Sequence, residues 1–137
     1  MSTDRLEGDL GAFRDEYPDA ANVVRKLLAV SFAALGIGGL FGLIQALHRT
    51  GVFRFIPSQD YYTVLTGHGV LLALVFTIFF LCGIFTWSIV DSLERPLENP
   101  TFTKAWVAIM SSGSTMAGVA ILAGFVGEIP FQADVLF

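Results

Sequence analysis

The chain has 137 residues, of which 54% are hydrophobic and 15% charged, with 13 phenylalanines and a formal net charge of −4. A composition this apolar excludes an ordinary soluble globule, because three all-round apolar helices in so short a chain leave too few polar residues to cover them. The acidic balance argues against a nucleic acid partner, which would call for a basic surface.

Residues 1–24 read as an acidic, solvated cytoplasmic tail, with Asp4, Glu7, Asp9, Asp15, Glu16 and Asp19 ahead of the first apolar run. Met1–Ala21 lacks the apolar stretch of a cleavable signal, so the first span is expected to persist in the mature protein. A hydrocarbon core of about 30 Å takes about 20 helical residues. Three runs meet that length, at about residues 27–48, 62–90 and 105–127. The expected fold class is therefore all-α, an integral membrane helical bundle of three transmembrane helices.

Lysine and arginine set the orientation, because short loops rich in them stay on the cytoplasmic side. Arg5, Arg14, Arg25 and Lys26 precede the first span, and Arg95 and Lys104 lie between the second and third; Arg49 and Arg54 occupy the other loop. The N-terminus is expected inside, the loop from Arg49 to Asp60 outside, the loop from Asp91 to Lys104 inside, and the C-terminus outside. Pro57 and Pro96 punctuate the loops, and Asn99-Pro100 precedes a helix start. Loops this short make successive spans antiparallel neighbours.

Small residues mark candidate contacts between helices. Gly38 and Gly42 stand four apart, as do Ser114 with Gly118 and Ala120 with Gly124, a spacing that lets helices approach closely in lipid. Cys82 reads as a small apolar residue, and Trp87 and Trp106 as interfacial anchors. Glu128 and Asp134, beyond the third run, read as solvated loop groups.

An ionisable side chain inside a span is costly and usually faces a partner or a cofactor. His68 is the one well inside, whereas His48 stands beside Arg49 at the end of the first run and reads as an interfacial, solvated group. Gly67 and Gly69 flank His68 and remove bulk, as a flat macrocycle lying against the helix would need. Neutral imidazole is a common axial ligand of heme iron. A histidine that hydrogen-bonds a neighbouring helix, with the glycines serving packing, fits the same residues equally well.

The stretch YYTVLTGHGVLLALVFTIFF, Tyr61–Phe80, resembles the second helix of subunit I of the heme-copper terminal oxidases, especially the B-family members of the ba type. Thr66-Gly67-His68-Gly69 matches their Thr-x-His-Gly pattern, and Gly42-Leu43-Ile44-Gln45-Ala46-Leu47 is similar to their Gly-x-x-Gln-Ala-Leu segment. The resemblance runs from about Arg25 to Phe137 and covers roughly the first quarter of the family's fold.

The resemblance implies that residues 25–137 are the N-terminal part of such a subunit, in a prokaryotic plasma membrane. It implies that His68 is an axial ligand of low-spin heme b and so binds the heme iron, with Gln45 near the heme periphery. The remaining ligands, the high-spin heme and the copper site belong to later helices in this family. No catalytic residue is therefore expected in this chain, and oxygen reduction is expected only of the complete subunit; a truncated or split gene product is the expectation. The implied partners are the remaining helices of subunit I, subunit II with its electron-accepting copper centre, a cytochrome or copper-protein electron donor, and the bilayer. Two other readings of the residues are a small membrane b-type cytochrome, which needs two ligands, and a heme-free structural subunit. Nitric oxide reductase is a relative with a similar second helix, over which the Gln-Ala-Leu and Tyr-Tyr signatures favour an oxidase.

Overall fold

A computed structural model of the chain describes residues 11–51 and 56–126. The expected acidic positions Asp4, Glu7, Asp9, Glu128 and Asp134, together with Arg5 and Arg54, lie outside the described residues.

After a helical segment over residues 11–16, the helix α1 runs over Pro18–Arg49. Pro18 opens it at the first helical position, where a missing N–H costs nothing and the fixed φ suits the helix. It ends where Gly51 takes φ 78°, a left-handed conformation open to glycine, and its N–H bonds the His48 carbonyl at 3.2 Å. Helix α1 therefore begins well before residue 27. Phe13, Ala20 and Val23, within the stretch read as a solvated tail, are buried.

The second apolar run forms a continuous helical rod in three parts: α2 over Ser58–Gly69, a π-helical segment over Val70–Phe76, and α3 over Thr77–Leu93. The π segment, which hydrophobic periodicity does not announce, widens the helix by one residue per turn. The Thr77 hydroxyl donates to the Leu72 carbonyl, five residues back, at 2.9 Å. Glu94 ends the rod at φ 48° and ψ 39°, an uncommon conformation for a residue with a Cβ, and Arg95-Pro96 follows.

The last described helix, α4, spans Pro100–Val126. Its start is the one expected: the Asn99 side-chain oxygen accepts the Phe102 N–H at 3.0 Å, with Pro100 next in sequence. Asp19 and Lys104 pair at 2.6 Å, which brings the starts of α1 and α4 to the same end of the bundle.

Helix α1 packs along α2, the π segment and α3, while α4 touches α2 and α1. The core joins Val23, Leu27 and Ala34 of α1 to Val75, Phe79 and Val107, with Cys82 packed half-buried against it. A second cluster at the Pro18 end joins Phe13 and Ala20 to Val90.

The exterior is apolar. Leu40, Leu43, Phe85, Ile109 and Met116 are all more than half exposed. Pro18–Arg49 and Asp60–Leu93 are long and apolar enough to cross a membrane, and only 22% and 17% of their most apolar windows are buried. A soluble core helix buries its apolar surface; these two helices present theirs outward, which suits lipid.

Candidate functional site

The seam between α1 and α2 carries the polar chemistry. Gly38, Gly42 and Gln45 stand on one face of α1, at spacings of four and three; Val64, His68 and Leu72 recur every four residues opposite them. The two rows meet in register. A Cβ on Gly38 would lie 2.7 Å from the Leu72 side chain, and a Cβ on Gly42 would lie 2.7 Å from Cε1 of His68.

These glycines bring the α1 backbone within reach of the imidazole. His68 Nδ1 lies 2.8 Å from the Gly38 carbonyl oxygen, in a half-buried contact. A carbonyl only accepts, so the ring donates from Nδ1 when neutral, and the lone pair is left on Nε2. Nε2 makes no hydrogen bond among the described residues and is not an enclosed atom. The histidine thus hydrogen-bonds a neighbouring helix and still keeps one imidazole nitrogen with a free lone pair. The two readings of His68 that the residues leave open turn out to be compatible.

The flanking glycines do different things. The place of a Gly67 Cβ is taken by the Phe41 ring, 2.7 Å away, with Ile121 at 3.6 Å, so Gly67 is buried in helix packing. Gly69 is exposed, and a Cβ there would meet nothing within 4 Å. Clearance beside His68 is therefore on the Gly69 side.

Gln45 is 8% exposed, and its amide donates to the Val64 carbonyl at 3.4 Å, one helical turn before His68. This tie locks the same seam between helices that holds the imidazole. Asn and Gln side chains hydrogen-bond across membrane helices because hydrocarbon offers no other partner.

At the Arg49 end of α1, His48 is less solvated than expected. Its ring lies 5.0 Å from that of Tyr61, and its Nδ1 is buried without a hydrogen-bond partner among the described residues. Arg49 Nε donates to the Tyr61 hydroxyl at 2.8 Å. Among the described residues no group of three or more His, Cys, Asp or Glu side chains converges as a metal site.

The part of Gly38 was visible only indirectly. Its spacing to Gly42 marks a close helix approach, but the partner of its carbonyl lies 30 residues away in sequence.

The family described as Cytochrome C and Quinol oxidase polypeptide I matches residues 22–136. Cytochrome c oxidase subunit 1 of Thermus thermophilus is 36% identical over 117 residues, covering 80% of this chain and 20% of that protein. The chain thus spans about a fifth of the length of this relative. No solved structure matches the chain.

Proposed function

The chain belongs to the Cytochrome C and Quinol oxidase polypeptide I family, and from that premise we propose that it is the N-terminal portion of the catalytic subunit of a respiratory heme-copper oxidase, in which His68 supplies one axial ligand of low-spin heme b. The observation that carries this reading is the 2.8 Å contact from His68 Nδ1 to the Gly38 carbonyl. Metal-ligating histidines characteristically give their other ring N–H to a backbone carbonyl or carboxylate, which fixes the tautomer and raises the basicity of the ligating nitrogen.

The residues present fit a heme on one side. His68 Nε2 is free to ligate the iron, the open flank at Gly69 admits a macrocycle, and Gly42 and Gly38 hold the ring from behind. A heme bound there would supply an iron centre able to accept and give up one electron. The protein's own part is to fix the imidazole and to keep the surroundings apolar. Gln45 serves the same end by tying α1 to α2 beside the histidine.

The Thr66-Gly67-His68-Gly69 context favours the B family of these oxidases. The membrane setting is a prokaryotic plasma membrane. Pro100–Val126 is the third span, and the excess of Lys and Arg around the first span's start and the second loop places those ends on the cytoplasmic side. The second axial ligand, the high-spin heme, copper and the oxygen chemistry come from the remaining helices of the subunit. Subunit II and a cytochrome or copper-protein donor complete the electron path.

The test is the reduced-minus-oxidised spectrum of the chain coexpressed with the remaining subunit I helices and supplied with heme b, wild type beside His68→Ala. The expected result is a low-spin b-type signal that His68→Ala abolishes. A signal of undiminished strength in His68→Ala would sink the assignment.

A further inference from the structure

At the Pro18 end of the bundle, away from the His68 seam, the segment 11–16, the start of α1 and the middle of α3 enclose a groove of about 1030 Å³, at the top of the range for small-molecule sites. Its two ends differ. One, at Leu28, Phe32 and Ile84, is apolar; the other carries Arg14 and Arg25, and Trp87 stands near the level of Arg25, between Gly83, which faces Leu28, and Val90, which packs with Ala20. Along α1 the rise from Arg25 to Phe32 is about 10 Å, which separates charge from hydrocarbon.

The Arg25 guanidinium donates to the Asn22 side-chain oxygen at 2.9 Å, and neither arginine makes an ion pair among the described residues. Among the described residues Asp15 is the one carboxylate lining the groove, so that lining is cationic on balance. Phe32 is 55% exposed and Trp87 36%. An apolar helix packed into the groove would strip water from two guanidinium groups and offer them no partner, which is strongly unfavourable.

We propose that this groove binds one anionic phospholipid, with the phosphate headgroup at Arg14 and Arg25, near Trp87, and an acyl chain that starts there and runs along Leu28, Phe32 and Ile84. Arginine matches phosphate by paired N–H donors, and the apolar end takes the chain out of water. The site is independent of the heme reading, since it shares no residue with the His68 seam.

Trp87 and Trp106 are the chain's two tryptophans, so the Trp106→Phe background makes Trp87 the sole reporter. The full chain in phosphatidylcholine vesicles is titrated with brominated phosphatidylglycerol or, in parallel, brominated phosphatidylcholine, and quenching of Trp87 is followed. The anionic lipid is expected to quench at about five-fold lower mole fraction for each arginine engaged. R14Q with R25Q removes the preference, R14K with R25K keeps it, and D15N enlarges it. Trp106, followed in the Trp87→Phe background, is expected to show no preference between the lipids. Equal quenching by the two lipids at Trp87, or a preference that survives R14Q with R25Q, would overturn the proposal. Trp87 quenched by neither lipid would overturn it too, because protein then fills the groove.

Discussion

His68 and Gly42 touch so closely that a Cβ on Gly42 would lie 2.7 Å from Cε1 and 3.0 Å from Nδ1 of the imidazole. Neither atom can yield freely, since Nδ1 is tied to the Gly38 carbonyl and Cε1 belongs to the same rigid ring. Gly42→Ala must therefore turn the ring or push the helices apart. With His68 as the proposed heme ligand, losing such a support costs about 10- to 100-fold in affinity. Heme titration of the assembled subunit followed by its low-spin absorption is expected to show that loss, and wild-type affinity in Gly42→Ala would mean that the contact is not constraining.

Gly67 and Gly69 flank the same histidine and predict opposite outcomes. Gly67→Ala drives a methyl into the Phe41 ring and should destabilise the bundle by about 1–3 kcal/mol. Gly69→Ala meets open space and should leave the apoprotein at least as stable, since alanine favours the helix by roughly 1 kcal/mol. Denaturant titrations in detergent, followed by helical circular dichroism, separate the two. The Phe41→Ala change should recover much of the Gly67→Ala loss, and the absence of recovery would rule out the ring as its cause.

The Gln45 amide reaches the Val64 carbonyl across the seam at 3.4 Å, a long bond. Gln45→Leu keeps most of the volume and removes the donor, so the expected cost is about 0.6 kcal/mol, the average for side-chain bonds between membrane helices. Gln45→Ala should cost more, because it also leaves a cavity. Equal losses in the two variants would show that the hydrogen bond, not the packing, dominates.

The Lys104–Asp19 pair is 2.6 Å long, yet its side chains are 48% and 52% exposed. Solvent and salt screen such a pair, so Lys104→Ala should change stability by less than about 1 kcal/mol. The same unfolding assay at low and high salt checks it, and a larger salt-dependent loss would mark the pair as a real clamp between α1 and α4.

Much of the site could be read from local sequence. His68 stands out because an ionisable group inside an apolar run needs a reason, and Gly38 with Gly42 marks a close helix contact by spacing alone. The helix start at Asn99-Pro100 was legible because capping depends on neighbours in sequence. The separate uses of Gly67 and Gly69 were not legible, because the difference lies in Phe41 and Ile121, which reach Gly67 from other helices. The π segment escaped because Val70–Phe76 is apolar at every position, so a change of helical period leaves no mark on the pattern.

Sequence by itself determined the helical class, the apolar runs of α1 and of the α2–α3 rod, and the histidine to watch, because hydrophobic length and the cost of a buried ionisable group are properties of the chain read locally. Tertiary structure alone decided which nitrogen of His68 is free, which glycine is packed and which is open, and that Arg14 and Arg25 share a groove with Trp87. Each of these depends on contacts between residues far apart in the chain, whose geometry is fixed when α1 lies down along the α2–α3 rod.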